Sequence, residues 1–255
     1  MTAAAGRLAE IHRFPVKSIG GERLDRVRLE PGRTLPGDRE WGVLHADSLH
    51  HLEGDALTKW LPKSAMLRGA ASAALQGVRG GWGEDGRLHL THPERPPLSL
   101  DPARDEAALL DWLAPLWADS GKAPAARLVT APQPLTDKRE PFISLLSLSS
   151  LADLEGRLCR PLGTDRWRAN LWVDGWEPYA EHDMRLMTLR IGPTTVRVRE
   201  RIERCAATSA DTKAGRLDGD MPAEIEAQFM HRNFGVYVEV LEGGEIAPGD
   251  PVEVL

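Results

Sequence analysis

The sequence predicts a mainly β protein with a few helices (α+β), a barrel-like β fold rather than alternating βα units. Three observations predict it: the strand-like segments are short, turns containing Gly and Pro join them, and only two stretches carry a helical period. Residues 8–44 read as LAEIHRFPV, the turn Gly20-Gly21, LDRVRLE, the turns Pro31-Gly32 and Pro36-Gly37, and REWGVLHAD. GRLHLTHPERPPLSL, residues 86–100, repeats the rhythm.

In RDEAALLDWLAPLWA, residues 104–118, Leu109, Trp112, Leu113 and Leu116 fall on one helical face, and Pro115 is expected to bend or end the helix. DSGKAPAARLVTAPQPLTDKREPF, residues 119–142, has prolines at 124, 132, 134 and 141 and reads as irregular, a candidate mouth for a site. SLSSLADLEGRLCR, residues 147–160, sets Leu151, Leu154 and Leu158 in a stripe, with Ser150 and Asp153 spaced as a capping box and Cys159 expected buried beside the stripe. From 168 onward strands return in RANLWVDG, MRLMTLRIGPTTVRVRERI, FGVYVEVL and a closing strand through GDPVEVL.

A chain of 255 residues is long enough for one large or two small domains and buries about 75% of the surface its unfolded form exposes. Lys and Arg total 32 against 38 Asp and Glu, a net charge of -6, which argues against nucleic acid or an anionic membrane as partner. No apolar run reaches the ~18 residues of a membrane span, and the start lacks the apolar core of a secretory signal. Two cysteines build no disulfide framework. These features lead us to expect a soluble protein in a reducing, cytoplasmic setting.

Cys205 ends the segment TTVRVRERIERC, residues 194–205. If that segment is one strand, Arg197, Arg199, Arg201, Glu203 and Cys205 share one face, and Val196, Val198, Glu200, Ile202 and Arg204 the other. Positive charge near a thiol favours the thiolate, the form that attacks electrophiles and binds soft metals. A one-residue bulge would turn Cys205 to the apolar face, so a reactive or metal-binding thiolate and a structural thiol both remain open. Zinc-type spacings and phosphate-binding glycine fingerprints are absent, and the neighbouring His50 and His51 are expected to point apart.

Five segments taken together resemble one family. They are FPVKSIGGERL; LPGDREW; PFISLLSLSSLADL followed by RWRANLWVDGWEPYAEHD; ERCAATSADTKAG; and GEIAPGDPVEVL. The chain resembles the MOSC-domain proteins, named after the C-terminal domain of molybdenum cofactor sulfurase, and among them the mitochondrial amidoxime reducing component and its bacterial relatives. The resemblance implies an N-terminal MOSC-type β-barrel domain, residues 1–100, and a C-terminal MOSC β-barrel domain, residues 101–255. It also implies molybdenum cofactor, a metal held by the dithiolene of a phosphate-bearing molybdopterin.

By the same resemblance Cys205 is the metal ligand and catalytic centre, and Lys17, Ser18 and Arg39 contact the cofactor. Arg168 and Asn170 grip its phosphate and pterin, Arg204 is a further contact, and Thr208 and Asp211 shape the loop after the cysteine. A metal held by two dithiolene sulfurs accepts a third soft thiolate, so one protein cysteine suffices. The phosphate calls for guanidinium and ammonium donors.

The implied activity is reduction of a small N-hydroxylated compound with electrons from an external electron-transfer protein, since two cysteines cannot hold an iron-sulfur cluster. A sulfur or cofactor carrier using a Cys205 persulfide or thiolate without turnover is the alternative, and a redox-silent binding module is a third. Three departures from the family pattern bear on this: Ser209-Ala210-Asp211-Thr212 lacks a proline, Ala169 stands where relatives have proline, and Glu140 is expected to put an acid at the pocket.

Overall fold

The computed structural model describes residues 5–255; residues 1–4 of the expected N-terminal domain lie outside them. Seven strands close into a barrel in the order Gly6–Arg13, Leu171–Asp174, Ile143–Ser147, Asn233–Glu242, Thr194–Glu203, Thr188–Ile191 and Pro251–Val254, the last pairing back with Gly6–Arg13. Closure leaves this sheet without a free edge between those strands. The pairing of Ile143–Ser147 with Leu171–Asp174 is parallel, and helix α2 (Leu148–Leu158) makes the crossover such a pair requires. The first strand of the chain thus completes a barrel built otherwise from its second half.

Period-two burial sorts the barrel's side chains. Leu8, Leu145, Val173, Leu189, Val196, Val198, Val236, Val238 and Val252 share one buried cluster, the barrel interior. Leu146, Trp172, Ile202 and Phe234 point to the other face, where α2 and α3 (Met221–Phe229) cover them with Leu151, Leu154 and Ile225. Fully burying each such side chain contributes about 1.5–3 kcal/mol relative to exposure. A separate cluster forms the first half, where α1 (Glu106–Trp117) packs Leu109, Trp112, Leu113 and Leu116 against the pair Trp41–His45 and Ala125–Thr130 and the hairpin Leu88–His92 and Arg95–Leu100.

Several expectations are corrected. Pro115 does not end its helix, which runs two residues further, to Trp117. Segment 119–142 is not irregular throughout, because Ala125–Thr130 forms a strand on Trp41–His45; its prolines flank that strand at 124 and 132 and so cost the ladder nothing. The cap of α2 is Ser147, whose side chain accepts from the Ser150 amide at 3.3 Å; Ser150 and Asp153 lie inside the helix. Cys159 is exposed, not buried, because it is the C-cap in a left-handed conformation, which turns it off the helix. The His50 and His51 rings lie 4.0 Å apart at the end of a 3-10 turn instead of diverging. Helix α3 was not foreseen, although Asp220 caps it and Pro222 occupies its first turn. None of the described helices is long and apolar enough to cross a membrane.

Candidate functional site

A cleft opens where strand Thr194–Glu203 finishes and Leu171–Asp174 begins. Of the nine residues named by the resemblance, eight line it, namely Lys17, Ser18, Arg39, Arg168, Asn170, Arg204, Cys205 and Thr208, and Asp211 does not. They come from four loops and strand ends spread over 192 positions of sequence, between Lys17 and Thr208. The backbone bends to deliver three of them. Ser18, Arg39 and Arg168 have φ of 63°, 53° and 48°, the left-handed region that costs non-glycine residues about 1–3 kcal/mol each. Gly20 supports the same turn at φ 64°, where a Cβ would meet the Gly80 carbonyl oxygen at 2.6 Å.

Cys205 stands two residues past the end of the strand at Glu203 and is half-buried, with a free thiol. Its carbonyl accepts from the Thr208 amide at 3.0 Å and the Thr208 hydroxyl at 2.9 Å, which fixes the turn behind the sulfur. Asp211 shapes the next turn, its carboxylate accepting from the Lys213 amide at 2.8 Å.

The cationic setting of the thiol does not come from the arginine row. Arg199 pairs with Glu239 at 3.3 Å and Arg201 with Asp183 at 3.4 Å, and neither these nor Arg197 lines the cleft. Irregular register between Val198 and Glu200, and again between Arg201 and Glu203, loosens the strict alternation assumed for one straight strand. The cleft's positive charge belongs instead to Lys17, Arg39, Lys63, Arg68, Arg166, Arg168 and Arg204, faced by the carboxylates of Asp137 and Glu203.

Those cations differ in how far they are neutralised. Lys17, 3% exposed, donates to Asp137, and burial holds its ammonium below the ordinary lysine range despite that partner. The Asp137 side chain keeps 44% of its surface exposed, so the partial desolvation that works to raise its carboxyl is outweighed by Lys17 and Lys63, which keep it ionised. Arg39 pairs with Asp38 and donates to the Arg168 carbonyl at 2.9 Å. Arg166 is held by Asp218 at 2.7 Å.

Arg168 and Arg204 have no carboxylate within ion-pair distance among the described residues. Of five guanidinium donors, Arg168 uses two, on the Gly20 carbonyl at 2.5 Å and the Val16 carbonyl at 3.4 Å. Its guanidinium carbon stands 4.3 Å from the Phe14 ring centre. Arg204 makes three bonds, two to the Phe234 carbonyl at 2.8 and 2.6 Å and one to that of Trp167 at 3.1 Å. Burial, with Arg39 adding repulsion, lowers Arg168 to about 9; burial also lowers Arg204, to about 10. One buried and one half-buried guanidinium with spare donors are a site prepared for an anion.

Asn170 lines the cleft with its amide already engaged by the barrel. Its amide oxygen accepts from the Ser144 hydroxyl at 2.8 Å and its amide nitrogen donates to the His12 carbonyl at 3.2 Å, so it chiefly ties three barrel strands together. Glu140 is exposed and outside the cleft; the acid that does line it is Asp137, which no periodic or motif signal marked. Also unforeseen were Lys63, Arg68 and Gln76 from the first half and Tyr237, whose phenol burial pushes above its usual range.

No match was found among curated proteins. The fold is similar to the YuaD protein from Bacillus subtilis, with 12% identity over 99% of this chain and 97% of that one at a TM-score of 0.48. It is similar also to YiiM from Geobacillus stearothermophilus, with 21% identity over 44% of this chain and 53% of that one at a TM-score of 0.35. The family models span nearly the whole described chain, the MOSC N-terminal beta barrel domain matching residues 5–127 and the MOSC domain residues 133–253. With the closed barrel and the cleft that gathers the residues of its motifs, the chain belongs to the MOSC family.

Proposed function

We propose that this protein is a molybdenum-cofactor-binding oxidoreductase that reduces N-hydroxylated compounds with electrons from an external redox protein. MOSC domains are associated in general with molybdenum cofactor. The reading rests on one observation in particular: the half-buried thiol of Cys205 lines the same cleft as two guanidiniums, the buried one of Arg204 and the half-buried one of Arg168, that have no carboxylate partner among the described residues. That donor set fits the group, which brings its own sulfur ligands and an anionic tail, needs one soft protein ligand, and needs fixed positive charge for the phosphate.

In this reading Cys205 binds the metal as thiolate, and the turn closed by Thr208 aims the sulfur. Arg168 and Arg204 hold the anionic tail with the N–H donors that their carbonyl partners leave free, and Lys17 and Arg39 add long-range attraction. When bound, the cofactor supplies two-electron oxygen-atom chemistry; the protein contributes position, charge and exclusion of water.

The test is elemental. Protein purified from a host that makes molybdenum cofactor is expected to carry stoichiometric molybdenum, to lose it on Cys205→Ser, and to keep it on Cys159→Ser, since Cys159 is a helix cap on the surface. The loaded protein is expected to reduce an amidoxime with an artificial electron donor. Bound sulfane sulfur without metal would overturn the reading in favour of a carrier.

A further inference from the structure

Two cavities meet at two side chains. Gln76 and Arg168 line both the main cleft and a second cavity bounded also by His12, Phe14 and Gly20. Gln76 is 3% exposed as a residue, no hydrogen bond joins its carboxamide to another described residue, and its oxygen and nitrogen are not among the fully enclosed unpaired atoms, so they still reach the open space of the cavities it lines. The contrast with Asn170 is direct, since that amide is engaged on both its oxygen and its nitrogen. A carboxamide held at a cavity wall with both functions free of protein partners is available to a bound group.

The surroundings hold Gln76 in place. It sits in the 3-10 turn Ala73–Gly77, with Leu75 fully buried beside it and the Ser72 hydroxyl donating to the Leu116 carbonyl at 2.6 Å just before it. Gly77 packs so tightly on the loop after Cys205 that a Cβ there would meet the Gly215 Cα at 2.8 Å. Gly69 leaves the space the carboxamide fills, for a Cβ on Gly69 would lie 1.7 Å from Gln76 Nε2.

We propose that Gln76 is a specificity-determining residue of the cleft, reading a flat, neutral donor–acceptor edge of the bound group, the pyrimidinone edge of a pterin. The proposal deepens the cofactor reading above and rests on it. Chemistry selects this edge over the anionic end. Phosphate is served by the guanidiniums, whereas a carboxamide offers one donor and one acceptor in a plane, which matches a lactam or amidine-type edge in two parallel hydrogen bonds. Among cationic walls, a neutral bidentate group recognises the neutral part of the ligand.

Gln76→Met keeps the length and apolar stem and removes both functions; Gly69→Ala keeps the carboxamide and displaces it. Each variant and the parent protein are prepared from a cofactor-producing host, desalted, and assayed for molybdenum and for pterin by the fluorescence of its oxidised form during dialysis. Cofactor is expected to leave both variants faster, by about three- to tenfold for the loss of net hydrogen bonding. The cofactor-free Gln76→Met protein is expected to melt no lower than the parent, because the carboxamide removed has no protein partner. Retention equal to the parent's in Gln76→Met overturns the proposal, as does faster loss accompanied by a lower melting temperature of the cofactor-free protein. Parent protein holding neither pterin nor molybdenum overturns the cofactor reading itself, and this proposal with it.

Discussion

Strand Thr194–Glu203 and the two residues after it carry two kinds of arginine. Arg199 and Arg201 lie on the outer face, each with a carboxylate at 3.3–3.4 Å. Arg204 turns inward, is buried, and is held by carbonyl oxygens of Phe234 and Trp167. Charge spent on a neighbouring acid is part of the protein's own surface. Charge held only by dipoles stays available, and Arg168 across the cleft is held the same way.

The largest expected effect breaks the inward arginine. Arg204→Met strands the Phe234 and Trp167 carbonyls in a buried setting and removes three charge-assisted bonds. We expect a loss of about 4 kcal/mol of stability, from the cost of unsatisfied buried groups. Chemical denaturation of the cofactor-free protein measures it. A loss below that of an exposed ion pair would mean that the inward and outward arginines do not differ in kind.

The second effect concerns what the outward row faces. Arg201 donates to the His182 carbonyl at 3.1 Å, next to Glu181, which is fully buried and accepts from the Ser150 hydroxyl at 3.0 Å. Burial raises the Glu181 carboxyl to about 7, with Ser150 and Arg201 only moderating it; burial, helped by Arg201, lowers the His182 imidazole to about 4. The folded protein therefore keeps the Glu181 proton longer than the unfolded chain does, so stability falls as pH rises from about 4.5 to 7. It takes up the His182 proton later, so stability falls as pH drops from about 6.5 to 4. Between about 4.5 and 6.5 the slopes oppose and nearly cancel.

Glu181→Gln removes one slope. The variant is expected to exceed the parent by on the order of 3 kcal/mol at pH 8, from the raised carboxyl alone, and to show the bare histidine slope on acidification. Melting curves at pH 5 and pH 8 read the difference. Parallel curves for variant and parent would show that the charge of Arg201 already satisfies the buried carboxylate.

The comparison also explains what was legible beforehand. A period of two gives the faces of a strand, so the alternation of Val196, Val198, Ile202 and Arg204 could be read, but not which face meets which acids; Glu239 lies 40 positions after its partner Arg199 and Asp183 lies 18 positions before its partner Arg201. Lys17, Arg39, Arg168 and Cys205 were legible because they sit in motifs that a family shares. Asp137 and Gln76 were not, since each owes its place to packing: Asp137 follows a strand hidden among prolines, and Gln76 fills the space Gly69 leaves. Helix α3 is only nine residues long, too short for its apolar period to stand out beside its cap.

The smallest expected effect sharpens the comparison from the outer side. Arg199 and Glu239 keep 36% and 28% of their side-chain surface exposed, so water screens their attraction and ordering two long side chains offsets part of it. Arg199→Gln is therefore expected to change stability by less than about 1 kcal/mol, with the change shrinking further in high salt. Molybdenum content should match the parent's, because Arg199 lines no part of the cleft. Loss of metal in this variant would show that the outer row sends its field through the strand to Cys205, and the distinction between spent and available charge would no longer separate the two faces.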